Sequence, residues 1–386
     1  MYFILAIIIM SAIIMIHEFG HFLAAKYFRV GIIEYSIGMG SLLFAYRKKD
    51  TVWSLRALPI GGFCAMYGEN SVEAKDKDAE KIDGKKQKTP LLNKLLDVKV
   101  PEFKTDWRDD QAYDRKSKIA QIIILFAGPL SNILTGILCA CIYVAVCGAQ
   151  TLPVIEGLVP ETPVAKEAGV EIGDVITGVN GRKVLTFSDY DGYVSLHPKE
   201  IENGFNVTFV RNYGKADEFE YTLRLVPVDG RIGIIVSAAT ERKSLIEFPK
   251  YVLNQVGYWI RLTLDSIRML FTGQVSINDM SGVLGTTAVM NKTMQEADDI
   301  GGKSEVMRII LVLVMFVSIN LGIMNLIPIP ALDGGRILIT WIEGAFEKTI
   351  PAKVQYGLNF ASFGFLLCLM GYTLIADFVK IVMGWI

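Results

Sequence analysis

Four long apolar segments constrain this chain more than any other feature of its sequence. They cover residues 1–28, 119–148, 305–327 and 356–382. Each is long enough to cross a bilayer as an α-helix, which takes about 20 apolar residues. Of all residues, 52% are hydrophobic and 20% are charged. The sequence therefore predicts a polytopic α-helical membrane protein with four spanning helices.

Basic residues cluster at the ends of these segments and predict their orientation. The clusters lie at residues 26–29, 115–118 and 336–353, and all three fall on one side if every segment crosses the membrane. Because basic residues favour the cytoplasmic side, the loop 29–118 is predicted to lie inside and the region 149–305 outside. The first segment has neither a charged start nor a cleavage site, so it is predicted to be retained rather than removed as a signal peptide.

The two long connections between segments differ in composition. In residues 29–118, short β-like runs predict a hairpin at about 52–68, and a charged insertion at 70–118 is interpreted as a solvated linker, partly disordered or loosely helical. In the second connection, strand-like runs and tight-turn signals predict a small β-rich domain over residues 150–240. Charges spread through the apolar residues of 241–304 favour an amphipathic helical region at the membrane interface.

The motif HEFGH, residues 17–21, lies inside the first apolar segment. His17 and His21 are four residues apart and share one face of a helix, so they can bind one metal ion, and Glu18 can reach a water on that ion. Two of the three histidines of the chain are here, and a carboxylate at the centre of a spanning helix costs about 2.5–3.5 kcal/mol. These facts favour a zinc hydrolase site over the alternative, in which the polar groups only bond to each other.

A second polar cluster, NLGIMNLIPIPALDGGR, occupies residues 320–336. Its two prolines and its glycine pair predict a break in the helix at 328–336. Irregular backbone at membrane depth is tolerated only beside protein or a water-filled cavity. Since a catalytic zinc usually has three protein ligands, Asp333 is predicted to be the third ligand of one Zn²⁺. The alternative is that Asp333 caps the helix beginning near Gly335. Asn325 is a candidate hydrogen-bond donor to the tetrahedral intermediate.

With these motifs in place, nearly the whole chain resembles the site-2 protease family, bacterial intramembrane zinc metalloproteases of the RseP/RasP type. HEFGH matches the HExxH of the family, and NLIPIPALDGG matches its NxxPxPxLDGG. FAGPLSN, residues 126–132, is similar to its AGPxxN. The resemblance implies metal binding by His17, His21 and Asp333. It also implies that Glu18 is the catalytic base and that Asn325 stabilises the substrate or the intermediate.

The resemblance also covers the connections. LPIGGFCAMYGE, residues 58–69, resembles the membrane-associated β-hairpin of the family, and residues 150–240 resemble an α/β PDZ domain. MSGVLG resembles an SGPxG element, with Val283 in place of proline, and Ser41 stands where relatives commonly have proline. The hairpin implies contacts with the substrate backbone by Gly61, Gly62, Phe63, Ala65 and Met66.

The function implied by this resemblance is that of a zinc metalloendopeptidase acting in the bacterial cell membrane. Its substrates would be single-span membrane proteins such as anti-sigma factors, often cleaved first by another protease, and remnant signal peptides. The active site would lie towards the cytoplasmic side of the bilayer and the PDZ-like domain outside the cell. Two alternatives remain open: a metal or ion transporter using the same ligands, and an inactive scaffold whose PDZ-like domain binds partners. A net charge of −1 without a basic stripe gives no sign of a nucleic-acid partner.

Overall fold

A computed structural model describes residues 2–69, 107–160, 164–228, 231–237, 240–241, 246–274 and 283–383 of the 386. Most of the predicted charged insertion, and residues 280–282 of MSGVLG, lie outside these ranges. The chain forms two compact units. The first contains Met1–Gly136 and Ser276–Ile386, and the second contains Ile137–Val275.

The helices and strands are numbered here in chain order. The helices are α1 (Tyr2–Tyr27), α2 (Lys118–Cys147), α3 (Val164–Glu167), α4 (Phe187–Leu196), α5 (Pro198–Glu202), α6 (Phe248–Phe271), α7 (Val283–Asn325), α8 (Asp333–Phe346) and α9 (Ala352–Val382). The strands are β1 (Ile32–Lys48), β2 (Thr51–Met66), β3 (Ala149–Gln150), β4 (Val154–Leu158), β5 (Val175–Val179), β6 (Arg182–Lys183), β7 (Phe205–Arg211), β8 (Phe219–Leu225), β9 (Ile234–Ser237) and β10 (Thr240–Glu241).

Four helices in the described ranges are long and apolar enough to cross a membrane: α1, α2, α7 and α9. Helix α7 is interrupted at Gly302, whose φ of 62° and ψ of −155° are not helical. This break lies close to the start predicted for the third spanning segment. Helix α6 is not one of the four candidates, in keeping with the charges spread along it. The predicted polytopic architecture is confirmed.

Helix α1 buries one stripe of its surface inside the first unit. Its buried positions recur three or four residues apart, which is the spacing of one helix face: Ala6, Ile9, Ile13, His17 and Gly20. Ile9 and Ile13 belong to an apolar cluster with residues of α7, whereas Ile8 and Leu23 are exposed and suit contact with lipid. His17 continues the buried stripe, so the polar motif faces the protein interior and not the bilayer.

Strands β1 and β2 form an antiparallel hairpin that is larger than the one predicted at 52–68. Their pairing runs from Ile32 opposite Met66 to Lys48 opposite Thr51. The prediction was too short because β1 supplies the partner strand, and its glycines obscured the strand pattern; Gly38, for example, has a φ of 82°. Among the described residues, each position of 62–66 has a β partner on one side only. Within the described chain, the other side of this stretch carries no strand, and the Met66 N–H there donates to Glu69 Oε2 at 3.2 Å.

The second unit is built on a six-stranded sheet in the order β8-β7-β5-β4-β9, with β6 paired to β5. Asn180 and Gly181 form the tight turn between β5 and β6 and have positive φ values of 49° and 75°, as their Asn-Gly sequence predicts. Helix α6 belongs to this unit because Arg261 binds Asp189 and Arg182 binds Asp265. An inserted β-rich domain is therefore confirmed, and its compact unit is wider than residues 150–240.

Asp174 carries a buried charge in this unit and makes its stability depend on pH. Arg211 Nε donates to it at 3.0 Å, the backbone N–H of Glu171 donates at 2.7 Å, and the Tyr221 hydroxyl also donates. Burial opposes ionisation, but the bonds from Arg211 and Tyr221 outweigh it, so the pKa of Asp174 lies below its usual value. Such a carboxylate stabilises the fold above its unfolded pKa and loses this effect as pH falls through the folded pKa.

We expect Asp174→Asn to destabilise the second unit by about 1–3 kcal/mol at neutral pH, because buried donors lose a charged acceptor. The difference from wild type should shrink below about pH 4, where the unfolded carboxyl becomes protonated. Hydrogen exchange of β5 and β7 in the full chain measures this effect. Asp191→Asn, which alters an exposed aspartate of α4, is the control and should leave exchange unchanged. Equal protection in Asp174→Asn and wild type at pH 7 would contradict the expectation.

Candidate metal centre

Three side chains from distant parts of the sequence converge inside the first unit. His17 Nε2 lies 3.0 Å from Asp333 Oδ2, and His21 Nε2 lies 3.3 Å from the same oxygen. The two Nε2 atoms are 3.3 Å apart. One donor atom from each residue thus lies within 4.8 Å of the other two, close enough for all three to bind one ion.

Asp333 is held in this position by a break between α7 and α8. Helix α7 ends at Asn325 and α8 begins at Asp333, so the backbone between them is irregular, as the prolines predict. The N-cap residue of α8 is Leu332, which makes no side-chain cap bond. The alternative that Asp333 caps a helix beginning near Gly335 is therefore wrong, because Asp333 is already the first helical residue and its side chain contacts the histidines.

Glycines in α8 allow this approach. A Cβ built on Gly334 would lie 2.3 Å from the carbonyl oxygen of Leu326, and one on Gly335 would lie 2.2 Å from that of Ile329. Real Cβ atoms do not come so close to backbone atoms, so side chains here would push α8 away from the preceding loop. The Gly-Gly pair after Asp333 thus serves close packing of the segment that carries the carboxylate.

A polar cavity of ≈ 300 Å³ lies beside the three donors. Glu18 and Asn325 line it together with His17, His21 and Asp333, so the structure brings the five predicted catalytic and ligand residues to one place. The cavity has room for water, and its wall is formed by helices together with the end of β2. Of the remaining predicted residues, Phe63 and Met66 also line it.

The other three predicted substrate-binding residues lie outside the cavity wall. Gly62 approaches it most closely, since a Cβ built on it would be 3.6 Å from Glu18 Cγ. Gly61 has a φ of 85° and packs against Met39. Ala65 pairs with Glu34 in the hairpin. The side chains that line the cavity belong to neighbouring residues of the strand, Phe63 and Met66, and not to these three.

Sequence reasoning missed six residues that line the cavity: Cys64, Glu69, Leu125, Ala331, Leu332 and Arg336. Arg336 Nη2 lies 2.7 Å from Glu69 Oε1, so an ion pair joins the segment just after β2 to α8. The position of Arg336, three residues after Asp333, placed it one helical turn from a ligand and was a usable signal. Nothing local to Cys64 or Glu69 distinguished them.

The donors fit a zinc ion by their chemistry. Two imidazole nitrogens and one carboxylate oxygen form a typical catalytic zinc set, which leaves a fourth position for water. His21 is oriented for this task, because its Nδ1 lies 2.8 Å from the carbonyl oxygen of Ile124. A proton on Nδ1 that bonds to this oxygen leaves the Nε2 lone pair for the metal.

Close packing of α2 against the ligands gives a further prediction. A Cβ built on Gly128 would lie 2.2 Å from His21 Nε2, the donor atom itself. We expect Gly128→Ala to displace His21 and lower zinc affinity by about 10–100-fold, the range seen when a ligand loses its orientation. Competition with a metal chelator measures this. Gly364→Ala in α9, where a Cβ meets nothing within 4 Å, is the control, and equal affinities in the two variants would contradict the prediction.

The metal-binding set, the adjacent glutamate and the apolar helices define a zinc hydrolase of the membrane. The chain matches Peptidase family M50 over residues 5–369. It belongs to this family, the site-2 proteases, and is a multi-pass membrane zinc metalloprotease with Zn²⁺ as its cofactor.

Named relatives agree with this assignment. The chain is 29% identical to zinc metalloprotease RasP of Shouchella clausii, over 94% of this chain and 95% of that protein. It is also 29% identical to zinc metalloprotease RasP of Geobacillus kaustophilus, over 94% of both chains. Identity to probable protease eep of Enterococcus faecalis is 28%, over 94% of this chain and 95% of that protein. The similarity thus extends through both units.

Proposed function

We propose that this chain hydrolyses peptide bonds in the transmembrane segments of single-span membrane proteins. The observation that carries the proposal is the convergence of His17, His21 and Asp333 beside Glu18 in a polar cavity within the unit that contains the apolar helix α1. We assign the metal-ligand role to the first three residues. A cavity of this kind supplies the two things that proteolysis in a bilayer lacks, which are water and a catalytic base.

Glu18 and Asn325 divide the remaining chemistry. Glu18 accepts a proton from the attacking water and returns it to the leaving nitrogen, which is general base and then general acid catalysis. Asn325 donates a hydrogen bond to the carbonyl oxygen of the scissile bond. Zn²⁺, when bound, acidifies a water and polarises a carbonyl. Because the water is the nucleophile, no acyl-enzyme forms.

The edge of the hairpin that lacks a strand partner among the described residues supports a mode of substrate binding. A helical transmembrane segment hides its peptide bonds, so it must unwind before cleavage. The stretch 62–66 pairs on one side only within the described chain, and Phe63 and Met66 line the catalytic cavity. An unwound substrate can add to this edge through main-chain hydrogen bonds, which hold a peptide with little sequence preference. The predicted contacts of Gly61, Gly62 and Ala65 would then be made through their backbone.

The second unit is proposed to act as a PDZ-like filter on substrate size. It would lie outside the cytoplasm, with the catalytic site towards the cytoplasmic side of a bacterial cell membrane, as the basic clusters predict. Substrates with a bulky outer domain would be excluded until another protease had shortened them. Anti-sigma factors cleaved in this way and remnant signal peptides are the proposed partners, in contact with the lipid bilayer.

Cleavage in vesicles tests this proposal. We expect the reconstituted chain to cleave a single-span protein with a short outer segment and to leave one with a folded outer domain intact. Deleting residues 150–240 should allow both to be cleaved. Zinc content measured for each variant shows whether the catalytic unit is intact. If the shortened chain binds zinc and still requires a short outer segment, the filter role is wrong, and if neither substrate is cleaved by the zinc-loaded wild type, the protease function is wrong.

A further inference from the structure

Asn132 places an amide in the interior of α2, directly behind the zinc-binding histidine His17. Its side chain is 0% exposed, and its Nδ2 atom lies 3.3 Å from His17 Nδ1. Within the described residues, its Oδ1 atom has no hydrogen-bond partner. A buried polar atom without a bond is costly, above all in a helix that spans a membrane. This amide therefore requires an explanation.

The two ring nitrogens of His17 have different tasks. Nε2 faces Asp333 Oδ2 at 3.0 Å and His21 Nε2 at 3.3 Å, so it is the atom that would bind the metal. A neutral imidazole that gives the Nε2 lone pair to a metal carries its proton on Nδ1, and this proton needs an acceptor. For His21 the carbonyl oxygen of Ile124 is that acceptor. For His17 the group facing Nδ1 is the amide of Asn132.

The orientation of the Asn132 amide follows from the position of the proton on His17. The oxygen and nitrogen of an asparagine amide have nearly the same shape, and their positions are assigned from hydrogen bonding. An Nδ2 donor facing Nδ1 would need a lone pair there and would put the proton on Nε2, where the metal has to bind. A half turn of the amide instead turns Oδ1 towards the Nδ1–H of His17. This turn gives the unbonded oxygen a donor and the histidine the correct tautomer.

Close contact between α1 and α2 fixes the distance between Asn132 and His17. A Cβ built on Gly20 would lie 2.3 Å from the carbonyl oxygen of Ala127, and Ser131 Oγ donates to the carbonyl oxygen of Ile16 at 2.8 Å. These contacts flank His17 along α1, and on α2 one of them is made by Ser131, the residue next to Asn132. They hold the two backbones at a separation that a short amide side chain can bridge.

We propose that Asn132 is a positioning residue that accepts the Nδ1–H of His17 and holds the Nε2 lone pair towards the metal. The inference rests on the proposed role of His17 as a zinc ligand. It gives the motif FAGPLSN a physical task, since Gly128 makes room for His21 and Asn132 orients His17 from the same face of α2. Both histidines then have an oxygen acceptor for their second nitrogen, one from a backbone carbonyl and one from a side chain.

Zinc affinity of the full-length chain in detergent, measured by competition with a chelator, tests the role. We expect Asn132→Leu to bind zinc about 10–100-fold more weakly, the usual cost of losing such a partner. Asn132→Ala should show the same loss, so the test does not depend on how well leucine packs. Asn132→Asp keeps an acceptor oxygen and should bind zinc almost as well as wild type. Ser318→Ala changes another fully buried polar side chain of this unit and should have no effect.

A second readout separates orientation from general stability. The chain has three histidines, so the ring nitrogens of a histidine-labelled sample give few NMR signals. In Asn132→Leu the nitrogen signals of His17 should change, whereas those of His197 should stay. Wild-type zinc affinity in Asn132→Leu, or an equal loss in Asn132→Leu and Asn132→Asp, would overturn the positioning role. Unchanged affinity in His17→Ala would instead show that the proposed metal site is wrong.

Discussion

Replacing Glu18 by glutamine is expected to abolish peptide-bond cleavage while zinc remains bound. The substitution keeps the size of the side chain and removes its ability to accept a proton. Loss of a general base costs about 10²–10⁴-fold in rate, and the proposed ligands His17, His21 and Asp333 are untouched. Cleavage of a single-span substrate in vesicles and zinc content per chain are the two measurements. Cleavage should fall to background, and zinc content should equal that of wild type.

The same variant separates the protease from the alternatives considered for this sequence. A transporter using these ligands would still carry metal across a vesicle membrane after Glu18→Gln. An inactive scaffold would show no cleavage even in the wild-type chain. Glu343→Gln is the matched control, since Glu343 is another buried carboxylate of the first unit, bound to Lys118 at 2.6 Å. It should lower stability and keep the cleavage rate per zinc-loaded chain. Wild-type cleavage by Glu18→Gln would refute the assigned base.

Asp333→Ala is expected to remove zinc and cleavage together. The substitution leaves two of the three donors that meet at the site, and it also removes the negative charge that faces both histidines. The loss of zinc affinity should exceed the loss of about 10–100-fold that follows when a ligand loses its hydrogen-bond partner. Metal content after dialysis against a weak chelator, followed by the cleavage assay, shows both effects.

Asp377→Asn is the matched control for this experiment. Asp377 is also a fully buried aspartate of the first unit, and its Oδ2 accepts the backbone N–H of Gly285 at 2.8 Å. Its replacement should weaken the contact between α9 and the start of α7 and leave the zinc content unchanged. If Asp377→Asn lost as much zinc as Asp333→Ala, the loss would reflect general unfolding and not the removal of a ligand.

Local patterns in the sequence were sufficient for the spanning helices and for the type of chemistry. Long apolar segments have few folded solutions in a bilayer, because every backbone polar group must be bonded within the segment. The spacing of His17 and His21 fixes a common helix face whatever else surrounds it. The Asn180-Gly181 turn could also be predicted, because its backbone geometry depends on two adjacent residues.

Features that depend on contacts between distant parts of the chain could not be predicted from the sequence. The hairpin at 52–68 was predicted too short because β2 pairs with β1, and the glycines of β1 gave no clear alternation. The Glu69–Arg336 ion pair joins positions far apart in sequence, and neither residue has a local feature that reveals the other. Asn132 belonged to a recognisable motif, but its contact with His17 exists only because α1 and α2 pack closely.

The sequence by itself determined that this chain spans a membrane, carries an HExxH helix and has a helix break with a carboxylate. Each of these follows from local periodicity, spacing or backbone restriction. Only the tertiary structure decided that His17, His21 and Asp333 meet, that a polar cavity adjoins Glu18, and which hairpin residues reach it. Such contacts depend on how helices and strands pack, and packing at the site depends on close approaches at Gly128, Gly334 and Gly335 that no local pattern specifies.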